Sequence, residues 1–311
     1  MTLAIRTAAP GDAEACGVIC YEAFRTIATD HNFPPDFPSV DAAIGFTRMA
    51  IAHPEVFGVI AEIDGRVVGS NFLWEQSEVA GVGPITVDPQ AQDAQIGRGL
   101  MQAVLDRAEE TARRSVRLVQ AAYHNRSLSL YTKLGFDARE PLSILQGSPI
   151  GRRIPGFSVR AAGPDDISAC NAICRSVHGH DRAGELRDAI GEGTAVVVEH
   201  DGRIAGYSTP IGFFGHAVGE TDDAVKALIG AAARFRRAWV PPADAQRAPP
   251  ALVPRLRIAH RAADDLDEPR PLQRTAGRIS AVDPVLTMFP LRKNAPDPKV
   301  RSIARLGRWP R

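Results

Sequence analysis

Cysteine is scarce in this chain, long apolar runs are missing, and neither sign of charge prevails. Among 311 residues there are four cysteines, and 37 Lys and Arg stand against 36 Asp and Glu, a net charge of +1. So even a balance gives no basic field for nucleic acid and no acidic one for a cationic partner. No apolar run approaches the about 20 residues that span a bilayer. The opening segment, Met1 to Pro10, alternates like a strand and lacks the charged start, apolar stretch and small-residue cleavage site of a signal peptide. The expected location is the cytoplasm, with no membrane partner. Cys16 and Cys20, like Cys170 and Cys174, are spaced to share a helix face with no His or acidic ligand nearby. In a reducing compartment they read as small buried apolar residues, which leaves no disulfide and no metal site in the expectation.

What is present is an ordinary globular composition, 44% apolar and 23% charged, at a length that favours about two domains. The two cysteine pairs lie in matching segments. Ile5-Arg-Thr-Ala-Ala-Pro-Gly-Asp-Ala-Glu-Ala-Cys16 aligns with Val159-Arg-Ala-Ala-Gly-Pro-Asp-Asp-Ile-Ser-Ala-Cys170, and Asp64-Gly-Arg-Val-Val-Gly69 with Asp201-Gly-Arg-Ile-Ala-Gly206. The chain thus contains an internal duplication with a boundary near Gly151 to Pro155. Each half begins as strand, helix and Asp-Gly hairpin, with Asp12 or Asp165 and Asp166 as candidate N-caps.

In the first half further elements follow: a strand at Gly83 to Val87, a helix from Ile96 to Arg114, a strand from Ser115 to Tyr123, a helix from Arg126 to Leu134 capped by Asn125 and stopped by Gly135, and a last strand around Pro141 to Gln146 that closes the sheet. The predicted domains are 1–150, 156–235 as an incomplete repeat, and 236–311. In the last of these Pro, Arg and Ala crowd together without a period, the composition of a disordered tail. The genetic code adds a second account of this tail. When Trp239 to Thr287 are back-translated and the frame is moved forward by one nucleotide, permitted codons spell PMTLMSLGLYNEP from Ala263 to Thr275. From Arg278 to Thr287 they spell AYLPSILY followed by a stop. These strings have the strand and helix character that the printed tail lacks, as expected of a frameshift product.

The stretch that carries chemistry is Ile85-Thr-Val-Asp-Pro89-Gln-Ala-Gln92-Asp-Ala-Gln95-Ile-Gly97-Arg-Gly99-Leu100, an apolar strand leading through a loop into an amphipathic helix. Free backbone N–H groups and the positive end of a helix suit a phosphate or pyrophosphate. One helix and one strand later stands Asn125-Arg-Ser-Leu-Ser-Leu-Tyr131-Thr-Lys-Leu-Gly-Phe136. Together these segments resemble the acetyl-CoA signature of the GNAT N-acetyltransferases, Gln/Arg-x-x-Gly-x-Gly/Ala followed by an LYxKLGF-like helix. The resemblance covers the first half well and the second only in its opening elements. It departs from the motif at Gln95, which stands at the first glycine.

The resemblance implies a mixed α/β acyl-CoA N-acyltransferase fold in two tandem domains, the second truncated. It also implies acetyl-CoA as cosubstrate and an amine of a small molecule or protein as acceptor. Thr86 and Val87 would pair with the pantetheine arm by backbone groups. Gln92 and the amides of Gln95, Ile96, Gly97, Arg98, Gly99 and Leu100 would hold the pyrophosphate, and Asn125 would touch the coenzyme. Tyr131 matches the family's general acid. For the base, Glu75 at the end of the run Ser70 to Trp74 is the first candidate, followed by Asp88 or a relayed water. The acceptor would be chosen by Tyr21 to Pro38, with Phe24, Asp30, His31, Phe33, Asp36 and Phe37. His178, His180, Asp181 and His216 fit no standard zinc spacing. Two other outcomes are a coenzyme-binding module without turnover and a defective truncated product.

Overall fold

The computed structural model describes residues 2–33, 35–91, 95–146, 149–211, 215–233 and 280–290, the last of these and 139–146 by their backbone path. The first unit runs β1 (Leu3–Thr7), α1 (Ala13–Asp30), α2 (Val40–Ala52), β2 (Val56–Ile63), β3 (Arg66–Trp74), β4 (Val79–Val82), β5 (Thr86–Val87), α3 (Ile96–Glu110), β6 (Ser115–Ala121), α4 (Asn125–Lys133) and β7 (Phe136–Gln146). The second runs β8 (Phe157–Ala161), α5 (Ile167–His178), α6 (Ala183–Gly191), β9 (Val196–His200), β10 (Arg203–Ser208), β11 (Ala217–Gly219) and α7 (Asp222–Ala231), and a distant strand, β12 (Ser280–Pro290), follows.

Eight strands make the first sheet, in the order β1-β2-β3-β4-β6-β12-β7, with β5 on β3; β4 and β6 are parallel and the other pairs antiparallel. One face packs on α3 and α4 through Val59, Val68, Leu100, Met101, Val104 and Tyr131. The other packs on α1 and α2 through Cys20, Phe37, Phe46 and Phe72. Helices α1 and α2 approach so closely that a Cβ on Gly17 would meet the backbone of Ile44. Thr47 Oγ1 donates to Ala13 O across that contact at 2.7 Å. All four cysteines are buried and unpaired, and burial pushes the Cys16 thiol up to about 11.

The second sheet, β11-β10-β9-β8, repeats the opening of the first in detail. Both hairpins turn on left-handed Asp-Gly pairs, with φ of 50° and 79° at Asp64 and Gly65 and 49° and 74° at Asp201 and Gly202, the geometry of a type I′ turn. Neither Asp12 nor Asp166 caps its helix by a side-chain bond. Each folds back instead. Asp12 accepts from Ala9 N at 2.7 Å and grips Arg6 by two 2.8 Å bonds, while Arg6 Nε donates to Glu62. Asp166, Gly163, Arg160 and Glu199 repeat this arrangement atom for atom.

Four expectations shift. The strand foreseen at Gly83 to Val87 is interrupted, because Gly83 (φ 125°) and Pro84, which has no N–H, leave the ladder between β4 and β5. Helix α3 stops at Glu110, since Ala112 turns left-handed at φ 52°. His124, not Asn125, caps α4, its ring accepting from Ser127 N. Last, β7 does not itself close the sheet against β6. The slot between them is filled by β12, from a region whose composition shows no strand period. Residues 236–279 and 291–311 lie outside the described residues.

The two units meet where α6 lies against the turn from β3 to β4. A Cβ on Gly184 would run into the carbonyl of Gln76. Gln76 Nε2 donates to Asp188 at 2.6 Å, Asp181 N donates to Glu78 at 2.8 Å, and Arg114 reaches Gly179 O at 3.0 Å.

Candidate active site

Strand β4 accompanies β6 only from Val79–Ser115 to Val82–Leu118. Beyond Pro84 the chain swings toward β3, where Thr86 and Val87 pair with Ser70 and Gly69. Trp74 Nε1 pins the departure point by donating to Gly83 O at 2.6 Å. Val119 to Ala121 therefore bond to β12 on one side, and among the described residues no strand pairs with them on the other. Between β5 and β6 the sheet opens as a wedge. Thr86 and Val87 stand on its β5 side, with Thr86 buried and its hydroxyl 3.3 Å from that of Ser70.

Helix α3 begins at the same opening. Gly97 lies near both Val87 and Leu130, which a Cβ there would approach to 3.9 and 3.4 Å. Gln95, at the motif's first glycine, holds φ 57° and ψ 14°, a left-handed conformation that glycine adopts without strain and that costs other residues about 1–2 kcal/mol. Its carbonyl takes the first helical bond, from Gly99 N at 3.0 Å, so the N–H groups of Ile96, Gly97 and Arg98 have no partner inside the helix. Ile96 and Leu100 point their side chains into the core and Arg98 is exposed, which leaves backbone amides as the polar surface of this turn. Gln92 lies outside the described residues.

Of the proton-transfer candidates, Tyr131 on α4 is buried beside Phe136, and burial pushes its hydroxyl up to about 12. It keeps its proton at neutral pH and can serve only as a donor. Glu75, the first candidate for the base, is engaged by other side chains. Its carboxylate accepts from Arg107 at 3.1 Å and Thr111 at 3.0 Å and lies 3.6 Å from Arg113, at the C-terminal end of α3. A helix of 15 residues sets that end about 20 Å from the first turn, on the closed side of the wedge. Asp88 is likewise engaged, by Arg66 at 2.9 Å and Gln90 N at 2.9 Å. Asn125, no longer a cap, is exposed at the start of α4. Burial lowers the pKa of the capping His124, favouring the neutral ring that can accept.

The segment after α1 divides in two. Phe24 and Phe37 pack inward with Phe46, whereas His31 and Phe33 stack on Tyr123, at centroid distances of 4.6 and 4.8 Å, just beyond the open end of β6. Sequence reasoning passed over Tyr123. The alternation of β6 places 117, 119 and 121 on one face, and Tyr123 stands in the turn just beyond it. It passed over Arg117 as well, a buried guanidinium on that face that pairs with Glu185 at 3.2 Å and lies 3.1 Å from His180 Nε2. Burial alone would raise the Glu185 carboxyl, but Arg182 and Arg117 outweigh it and hold it well below the usual range. Burial and Arg117 push His180 down to about 4. His216 shares a 2.9 Å hydrogen bond with Tyr207, Asp181 binds Arg175 and Asn171, and the His178 ring lies against those of His180 and His216, while His180 beside Arg117 and Asp181 N on Glu78 carry this network across to the first unit. No group of three or more His, Cys, Asp or Glu among the described residues is arranged to hold a metal.

Residues 21–136 match the family model "Acetyltransferase (GNAT) family". An IAA acetyltransferase from Azospirillum brasilense is 29% identical over 111 residues, 32% of this chain and 72% of that protein. Among solved structures, a candidate acetyltransferase from Pyrococcus horikoshii superposes with a TM-score of 0.52 at 16% identity, covering 94% of this chain and 90% of that one. A GNAT family acetyltransferase from Brucella melitensis, in complex with acetyl-CoA, is 23% identical over 44% of this chain and 84% of its own, with a TM-score of 0.35. Residues 21–136 are thus similar in sequence to the GNAT acetyltransferases, and the chain shares its mixed α/β fold with the Pyrococcus structure.

Proposed function

We propose that the first unit is an acetyl-CoA-dependent N-acetyltransferase that moves an acetyl group directly to a primary amine of a small molecule or protein, in the cytoplasm. The observation that carries this reading is the wedge between β5 and β6 with the first turn of α3 at its opening. On the side turned away from β3, Thr86 and Val87 offer strand backbone to an extended pantetheine arm, a form of β-augmentation. Gln92 and the amides from Gln95 to Leu100 cradle the pyrophosphate, and Gly97, with nothing nearer than 3.4 Å to a Cβ, lets an anion approach the backbone. Arg98 and Asn125, both exposed, can reach a phosphate from outside. When bound, the coenzyme supplies a thioester open to attack by a neutral amine.

An amine near ~10.4 must lose a proton first, and a departing thiolate near ~8.5 gains from receiving one. Tyr131, protonated at neutral pH, is the donor. With Glu75 and Asp88 engaged by guanidinium groups, proton removal falls to water relayed by backbone carbonyls. The aromatic surface of His31, Phe33 and Tyr123 suits an acceptor with an apolar body. The second unit is a degenerate, incomplete repeat of the first, packed against it and shaping the acceptor side. Residues 236–311 derive from a shifted reading frame, which sequencing of the gene region tests; one intact frame in independent isolates overturns that.

Calorimetry on the full chain tests the coenzyme reading. Acetyl-CoA is expected to bind the wild type, and Gly97→Val to weaken it at least about tenfold, since a side chain then stands where the anion approaches. A folded wild type that binds no coenzyme would leave a fold without the activity.

A further inference from the structure

The wedge has a polar group at its base that the motifs do not account for. Gln120 lies on β6 two residues beyond Leu118, the last residue paired with β4, and its backbone register is with Leu286 of β12. By alternation its side chain shares the face of Val116 and Leu118, which belong to the core beneath α3 and α4 with Tyr131. It is 7% exposed. Both its carboxamide atoms, Oε1 and Nε2, are buried without a hydrogen-bonding partner among the described residues. A buried amide left unpaired at both ends destabilises a core and is rare in native proteins, where such groups answer to a ligand, an ion or a water.

We propose that Gln120 is a coenzyme-binding residue whose carboxamide pairs with an amide group of the pantetheine arm. This rests on the acetyl-CoA reading and extends it from backbone contacts to a side chain. The chemistry matches, because each pantetheine amide presents one donor and one acceptor, and a carboxamide both accepts and donates. A carboxylate could only accept and an ammonium only donate. The placement matches too, since Val119 to Ala121 are the part of β6 that has parted from β4, where an inserted arm would run.

The test is Gln120→Leu in the full chain, with Gln120→Met as a second variant of similar volume. Removing an orphaned amide is expected to leave the unfolding midpoint at or above that of the wild type, which certifies the fold. Affinity for coenzyme A is then expected to fall about tenfold or more. Affinity for 3′-phosphoadenosine 5′-diphosphate, which keeps the pyrophosphate and lacks the arm, is expected to be unchanged. Coenzyme A binding within about twofold of wild type overturns the assignment, as does an equal loss of both ligands. Failure of the wild type to bind coenzyme A at all would instead overturn the acetyl-CoA reading on which this one stands.

Discussion

Tyr131 illustrates how position sets the chemistry of a single side chain. In water a tyrosine hydroxyl titrates near ~10; buried next to Phe136 it rises to about 12 and stays protonated across the neutral range. As the proton donor it has one testable signature. Tyr131→Phe keeps the ring and its packing, so kcat is expected to fall about 10²–10⁴-fold with KM little changed. Steady-state kinetics at saturating acetyl-CoA measures this, and a variant with wild-type kcat would return Tyr131 to a packing role. Glu75 makes the opposite point. As a carboxylate at a strand end it reads well in sequence as a base, yet Arg107, Thr111 and Arg113 converge on it from α3 and the turn beyond.

Among elements, the contact of α6 with the β3–β4 turn decides how the units sit. It depends on Gly184 having no side chain, because the Gln76 carbonyl occupies the place of a Cβ. Gly184→Val is expected to destabilise the chain by about 1–3 kcal/mol through forced separation. Gly191→Ala, where a Cβ meets nothing within 4 Å, is expected to be neutral or slightly stabilising. Denaturant unfolding of both variants compares them, and equal midpoints would show that the packing of α6 is not tight. Strand β12 acts at the same scale. It joins β6 to β7 within the first sheet, so that sheet is completed by residues far along the chain from the unit they serve.

For the whole molecule, the inter-unit network ties stability to pH. His180 is held near 4 by burial and by Arg117 and Arg182, with Glu185 opposing them, whereas an unfolded histidine titrates near ~6.5. The folded state therefore binds fewer protons than the unfolded one between these values. Stability is full above about 6.5 and falls as pH drops toward 4. The carboxylates of Asp12, Asp166 and Asp181 are lowered from an ordinary value of 3.8, so their contributions are lost below that window. Melting temperature measured from pH 7.5 to 4.5, values chosen around that about-6.5-to-4 window, is expected to fall less steeply in His180→Asn than in the wild type. Identical slopes would place the acid sensitivity elsewhere, with His216, which is also lowered by burial, as the next group to replace.

Much of this architecture is local and could be read from the residues alone. Asp-Gly hairpins, amphipathic periods and the paired segments around Cys16 and Cys170 each depend on neighbours within a few positions, which is why β1, α1, the hairpins, α3, β6 and α4 lie near where they were expected, whereas α2, β4 and α6 were not foreseen. The glycine-poor loop at Gln95 and the Tyr131 helix were legible for the same reason. What only the tertiary structure decided involves partners far apart in sequence. Arg107 reaching back to Glu75, the parting of β4 from β6 at Gly83 and Pro84, and β12 lying between β6 and β7 are of this kind. Local pattern sets which face of an element is apolar, but pairing across the fold settles which polar groups are spent on structure and which, like those of Gln120, have no partner among the described residues.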